Sequence, residues 1–260
     1  MMGSPLTLIV AMRGMARCYL GNAGWKNDFE RAVAMGRKAE PITRSSAMYY
    51  TYIVAIMNGV LLPTNAILRE AEEALAVAEQ SGGNVDVGQG RQYLGIILVR
   101  MGGSSRARGF QLLDQVRAMA VEKRYIDNVA PLVDIHVGQE KIRTGDFAGA
   151  ISLAQPAANE LFRTGDRFWV GYATNVLVEA LLNRGSPADL QDAKVAVDRL
   201  AAAPADPGFV VHSIWLLRAR ALLARARGDD FVYHELRDNY RKVASELGFE
   251  GHIAMAEAMD

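Results

Sequence analysis

The side chains best suited to metal binding or nucleophilic chemistry are four histidines and one cysteine. The histidines are dispersed, and none has the His-x-x-x-His spacing of a helical zinc site. Cys18 is alone, which excludes an internal disulfide and a cysteine-based metal site and favours a cytoplasmic location. We predict no catalytic residue, no metal and no cofactor. Surface or partly buried positions are expected for His136, His212, His234 and His252, the last of which shapes the final turn through a hydrogen bond.

Two short motifs resemble catalytic or nucleotide-binding sites but lack the required context. Glu70, Glu72 and Glu73 place three carboxylates on a predicted helix, where they are expected to face water. Residues 88–93 read Gly-Gln-Gly-Arg-Gln-Tyr, but Tyr93 replaces the final glycine of a dinucleotide fingerprint and no strand precedes the motif. We predict a solvated acidic face in the first case and a flexible loop entering a helix in the second.

An aromatic cluster offers a surface for binding a partner. Tyr49 and Tyr52 are three residues apart and share a helix face that Ile56 continues, whereas Tyr50 points elsewhere and Arg44 lies one turn earlier. Tyrosine and arginine are the side chains that most often anchor protein contacts. Packing between helices is the alternative role for these rings. Comparable candidates are Arg91, Tyr93, Trp169, Tyr172 and Asn175.

Charge and hydropathy argue against nucleic acid and membranes as partners. Lys+Arg and Asp+Glu both number 29, so no overall positive field attracts a phosphate backbone or an anionic bilayer. The apolar segment 6–12 is too short to span a membrane. A local run of arginines is scattered around a helix and is followed by acidic residues. This run comprises Arg218, Arg220, Arg225 and Arg227.

The elements that position these side chains follow a regular repeat. Glycine-centred breaks recur 38 to 43 residues apart, and each one ends a helix-like stretch shortly before another begins. Between the breaks, apolar residues recur at steps of three and four, and strand signals are nearly absent. The run Phe209-Val210-Val211 is read as a helix entry. The breaks are centred on Gly21, Gly59, Gly102, Gly145, Gly185 and Gly228.

These patterns predict an all-α protein: a right-handed α-solenoid of about six antiparallel helix pairs that forms one domain over residues 1–260. In one unit, Gly145 and Phe147 are followed by Ala150 and Ala157, as in the second helix of a tetratricopeptide unit. The period near 40 is longer than the standard one, so the predicted repeat is tetratricopeptide-like. The predicted pairs are 5–38, 42–80, 86–122, 127–163, 167–203 and 208–247, and a short helix follows from about residue 251.

The last repeat carries a family resemblance. Residues 219–230 read Ala-Arg-Ala-Leu-Leu-Ala-Arg-Ala-Arg-Gly-Asp-Asp, and residues 247–259 read Leu-Gly-Phe-Glu-Gly-His-Ile-Ala-Met-Ala-Glu-Ala-Met. This segment resembles the C-terminal helical arm of actinobacterial, especially mycobacterial, signalling proteins. In these, an adenylate/guanylate cyclase domain and a signal-transduction ATPase precede the arm, and some relatives carry a LuxR-type DNA-binding domain. The chain lacks a Gly-x-x-x-x-Gly-Lys-Ser/Thr phosphate loop, so the resemblance implies the arm without the family's catalysis.

The leading hypothesis is therefore a non-catalytic interaction or sensory arm. It would bind a peptide or a partner domain, such as a cyclase or ATPase encoded upstream, along its concave face. The alternatives are a small-molecule pocket in the groove and a remnant of a larger regulator. The first helix is apolar at positions that an internal helix would bury, so we also predict an exposed apolar patch there and self-association or docking through it.

Overall fold

A computed structural model describes residues 5–126, 129–204 and 207–260. All regular secondary structure within these ranges is helical, as predicted, and consecutive helices pack against one another. The chain divides into two compact units, Met1–Ala130 and Pro131–Asp260. The prediction of one domain over 1–260 stays a prediction. The start of the predicted pair 127–163 lies outside the described residues.

Unit 1 contains seven α-helices among its described residues, together with two irregular helical turns. Its helices are α1 (Pro5–Tyr19), α2 (Trp25–Gly36), α3 (Pro41–Met48), α4 (Val54–Met57), α5 (Asn65–Ser81), α6 (Asn84–Met101) and α7 (Arg106–Val121). A π-helical segment, Tyr49–Ile53, joins α3 to α4, and a 3₁₀ turn, Gly103–Ser105, precedes α7.

Unit 2 begins within α8 (Val129–Arg143). Its further helices are α9 (Phe147–Thr164), α10 (Val170–Arg184), α11 (Asp189–Ala202), α12 (Val210–Ala226), α13 (Asp230–Leu247) and α14 (Glu250–Glu257). The short β-branched run at 209–211 does lead into a helix, as predicted, because α12 begins at Val210.

The predicted breaks coincide with helix ends. All six glycines have positive φ, between 65° and 82°, a range that glycine adopts more readily than residues with a side chain. At two breaks, an aspartate follows the glycine and caps the next helix. The Asp146 carboxylate accepts a hydrogen bond from the Gly149 amide at 2.9 Å, and Asp229 accepts one from Val232 at 3.2 Å.

Small residues lie where paired helices approach most closely. A Cβ added at Gly109 in α7 would lie 2.9 Å from the Gly95 carbonyl oxygen in α6, so this contact requires glycine. Ala150 and Ala157 in α9 are buried, as the tetratricopeptide-like pattern predicts. In each unit, glycine and alanine side chains therefore allow paired helices to pack closely.

The predicted loop at residues 88–93 is wrong. This segment lies inside α6, and its glycines serve packing rather than flexibility. A Cβ at Gly88 would lie 2.6 Å from the Tyr125 ring, and one at Gly90 would lie 2.8 Å from Leu75. Because α6 is crowded on both of these sides, bulky residues do not fit there.

Candidate functional site

Three tyrosines line the π-helical segment that follows α3. The prediction that Tyr49 and Tyr52 share a face assumed α-helical geometry, whereas a π-helix has more residues per turn. The Tyr49 and Tyr50 rings meet edge to face with centroids 5.5 Å apart. All three tyrosines are half-buried, and Tyr50 also packs against Val10. The segment therefore presents amphipathic rings that are partly accessible and partly anchored.

A buried carboxylate lies beside these rings. Glu70 in α5 is only 8% exposed, so the prediction that it faces water is wrong. Its Oε1 accepts a hydrogen bond from Arg44 Nη2 at 3.0 Å, and its Oε2 accepts one from Arg37 Nε at 2.8 Å. No residue pattern indicates this pairing, because α2, α3 and α5 meet only in the folded chain. Glu72 and Glu73 remain more exposed, with Glu72 paired to Arg108.

The ion pairs with Arg37 and Arg44 lower the pKa of the Glu70 carboxyl group. Burial alone would raise the pKa of Glu70, but hydrogen bonds and charge from Arg37 and Arg44 hold it below its ordinary value. Burial raises the pKa of Tyr52 to about 12, with Glu70 adding to the rise. At neutral pH, Glu70 is therefore charged and Tyr52 is a neutral phenol that can donate a hydrogen bond.

The α6 candidates divide into an accessible side chain and a buried one. Arg91 is 28% exposed and pairs with Glu79 at 3.2 Å. Tyr93 is fully buried, and burial raises its pKa. Its neighbour Gln92 accepts a hydrogen bond from the Tyr125 hydroxyl at 2.9 Å. Among the described residues, the buried polar atoms without a hydrogen-bond partner include Thr43 Oγ1 on α3 and Gln92 Nε2 on α6.

The unit 2 candidates form part of the core. Trp169, Tyr172 and Asn175 are all 6% exposed or less. The Tyr172 hydroxyl donates to Gln139 Oε1 at 2.8 Å and lies 3.2 Å from His136 Nδ1. The Asn175 amide donates to the Trp215 carbonyl oxygen at 2.9 Å. These three positions therefore support the helices, and a partner contact through them stays a prediction.

Aromatic and histidine rings form a continuous series through unit 2. Tyr172 packs on Trp215, and Trp215 lies edge-on to His252 with centroids 4.5 Å apart. His252 Nδ1 is 2.7 Å from the Tyr240 hydroxyl, so the predicted hydrogen bond at the final turn is confirmed. We call these residues the aromatic series: His136, Tyr172, Trp215, Tyr240 and His252.

The surface or partly buried placement predicted for the histidines is wrong for three of them. His136, His212 and His252 are 8% exposed or less, whereas His234 is exposed. Burial lowers the pKa of His212. The sequence around each of these histidines does not predict its burial, because the rings that enclose it come from other helices.

The described residues contain few clustered groups that could carry out catalysis or bind a metal. Across residues 5–126, 129–204 and 207–260, no three histidine, cysteine or acidic side chains converge as metal ligands. Cavities of about 200 Å³, beside Thr174 and Phe162, and about 280 Å³, beside Leu181 and Leu190, are smaller than typical ligand pockets. No described helix combines the length and apolar character needed to cross a bilayer.

Comparison with known proteins adds no relative. No family model matches the chain, and neither the curated proteins nor the solved structures contain a match.

Proposed function

We propose that this chain is a non-catalytic helical-repeat protein that binds a peptide or a partner domain. The repeat is a right-handed, tetratricopeptide-like solenoid of about six antiparallel helix pairs. Its support is the regular spacing of helix-ending glycines, the sequential packing of helices and the small residues where they touch. The proposed setting of the protein is cytoplasmic signalling or transcriptional regulation in bacteria, and the proposed partner is a cyclase or ATPase domain. Both proposals rest on the family resemblance of the last repeat.

The partner surface consists of Arg44, Tyr49, Tyr52 and Arg91, which we call the tyrosine surface. The observation that carries the proposal is the π-helical segment, where half-buried tyrosines lie beside the ion-paired Glu70. π-Helical turns cost stability and occur often at functional sites. Phenol rings with restrained rotamers bind a partner with little further loss of entropy. Tyr93 would then support this surface from the core of unit 1, whereas Trp169, Tyr172 and Asn175 pack in the core of unit 2.

Site-specific photo-crosslinking tests the tyrosine surface in the native cell. A benzophenone-bearing phenylalanine replaces Tyr49 or Tyr52, and Phe231, which is 79% exposed on α13, provides a matched aromatic control. We expect the same protein to be linked from positions 49 and 52 and not from position 231. Tyr52→Ala should then weaken binding of the purified partner about 10- to 30-fold. Identical adducts at all three positions, or none, would contradict the proposal.

The alternative function, sensing a small molecule, requires a different structural feature. A metabolite sensor needs an enclosed apolar pocket with a few convergent polar groups. The 200 Å³ cavity in unit 2 has Thr174 and Phe162 in its lining but falls below the usual size. We therefore favour a macromolecular partner.

A further inference from the structure

A cavity of about 200 Å³ lies between three helices of unit 2. α9 and α11 both pack against α10 or its neighbours, and residues of all three helices line the cavity. Its floor is formed by Ala158 of α9 and by Thr174 and Leu177 of α10, each 3% exposed or less. Its rim includes Asp192 and Val195 of α11, which are exposed. The cavity is therefore accessible from solvent at its rim and enclosed at its floor.

One end of the rim is held by Arg199 of α11. Its guanidinium carbon lies over the Phe162 ring of α9, 4.1 Å from the ring centroid. Its Nη1 also donates a hydrogen bond to Asn159 Oδ1 of α9 at 2.5 Å. These contacts link α11 to α9 directly beside the cavity, which restrains the width of its opening.

The floor of the cavity contains a hydroxyl group without a bond. Thr174 is 1% exposed, and its Oγ1 has no hydrogen-bond partner within the described residues. A buried hydroxyl left without a partner costs about 1–3 kcal/mol. Because Thr174 lines the cavity, a molecule bound there can supply the missing hydrogen bond.

A single ordered water satisfies this hydroxyl poorly. A buried water typically makes about three hydrogen bonds. The other floor residues, Ala158 and Leu177, have apolar side chains that offer it no further partner. A larger molecule that presents one hydroxyl group to Thr174 matches this lining better, because its apolar body covers the remaining surface.

The size and charge of the lining narrow the class of ligand. A dry cavity of about 150 Å³ accommodates a benzene molecule, so this cavity of about 200 Å³ suits a molecule of the size of phenol. The Phe162 ring in the lining favours an aromatic body. The two rim charges, Asp192 and Arg199, are opposite, so together they favour neither an anion nor a cation. A charged group at the floor would lose its hydration without an ionic partner, so the cavity favours a neutral molecule.

We propose that this cavity binds a small neutral molecule that joins an aromatic ring to a single hydroxyl group, which forms a hydrogen bond with Thr174. A hydroxyl group is both donor and acceptor, so it pairs with Thr174 in either direction. Because so small a ligand makes few contacts, its dissociation constant should be about 1 mM. The cavity lies in unit 2 and the tyrosine surface in unit 1, so this inference does not depend on the proposed partner.

Methyl-selective NMR of the full chain tests the site, with phenol as the probe and toluene as the analogue that lacks the hydroxyl group. The methyl signals of Leu177 and Val195, which line the cavity, should shift as phenol is added up to about 5 mM. Ala196→Leu, at a partly exposed position in the same lining, should fill the cavity and abolish these shifts with both compounds. An absence of shifts at these two residues in the wild type would overturn the proposal.

Thr174→Val tests the hydrogen bond, because it removes the hydroxyl group and keeps the shape of the side chain. It should weaken phenol binding about 3- to 10-fold and should not weaken toluene binding. Thr43→Val is the matched control, because Thr43 is also 1% exposed with an Oγ1 that has no partner among the described residues, but it lies in unit 1. It should leave both affinities unchanged, and circular dichroism checks that each variant is folded. Equal losses for phenol and toluene in Thr174→Val, or unchanged phenol binding, would contradict the proposal.

Discussion

Units 1 and 2 carry the same kinds of candidate residue, aromatic and polar side chains on helices that start a pair, but they use them differently. In unit 1, Tyr49 and Tyr52 remain half-exposed beside the ion-paired Glu70. In unit 2, Tyr172 and Asn175 are closed in by Trp215 and become part of the core. The comparison shows that similar residues on similar helices end in different environments, because the neighbouring helices decide whether a helix face stays accessible or becomes part of the core.

The largest expected effect comes from breaking the aromatic series of unit 2. Trp215→Ala removes a 3%-exposed ring that contacts Tyr172 and His252, so we expect a loss of about 3–5 kcal/mol in the free energy of unfolding. Urea denaturation followed by circular dichroism measures it. Phe231→Ala, at a ring 79% exposed, should change stability by less than about 0.5 kcal/mol. Equal losses in both variants would contradict a core role for Trp215.

The second-largest effect tests whether the stability of unit 1 depends on the ion pairs of Glu70. Glu70→Gln leaves the Arg44 guanidinium, 12% exposed, without its closest carboxylate. We expect a loss of about 2 kcal/mol, less than for a fully buried pair because Arg37 reaches water. The matched control is Glu72→Gln, which removes the exposed pair with Arg108 and should cost less than about 0.5 kcal/mol.

The pH dependence of the Glu70→Gln effect gives a second readout. Because the folded chain holds the pKa of Glu70 below its ordinary value, its contribution is present above about pH 4.3 and is lost as pH falls through the folded pKa. The stability gap between wild type and Glu70→Gln should therefore narrow on acidification. A gap that widens below pH 4 contradicts the ion-pair interpretation.

A smaller effect tests the polar interior between α6 and the segment that follows α7. Tyr125→Phe removes the donor to Gln92, whose Nε2 already has no partner among the described residues. We expect a loss of about 1–2 kcal/mol. The double variant Tyr125→Phe with Gln92→Met removes both polar groups and should be more stable than Tyr125→Phe alone. A double-mutant cycle in urea measures this, and simple additivity would argue against the contact.

The smallest effect concerns His212 in unit 2. Burial lowers its pKa, so the unfolded chain takes up a proton near pH 6.5 more readily than the folded chain. The free energy of unfolding should therefore fall as pH drops from 7.5 to 5.5, by up to about 1 kcal/mol from this group. His212→Gln should flatten that slope, whereas His234→Gln, at an exposed position, should leave it unchanged. Unaltered slopes in both variants would show that His212 does not carry the effect.

The errors of the sequence analysis have a common physical origin. Glu70 flanks the apolar stripe of its own helix, which predicts a position in water, but its two arginine partners precede it by 26 or more residues. Residues 88–93 predict a flexible loop entering a helix, whereas in the structure Gly88 and Gly90 lie within α6, close to Tyr125 and Leu75. The π-helical segment left no mark in residue spacing at all. Each feature depends on contacts between distant parts of the chain.

The sequence by itself determined the helical class, the glycine helix ends, the exposed apolar patch on α1 and the hydrogen bond of His252. These follow from local rules: apolar periodicity, the left-handed preference of glycine and the need to bury or expose a helix side. Only the tertiary structure decided that Glu70 is buried between two arginines and that Tyr93 and Tyr172 lie in the core, while Tyr52 stays accessible. Burial is a property of the surrounding helices, and a single helix does not encode which neighbours will cover it.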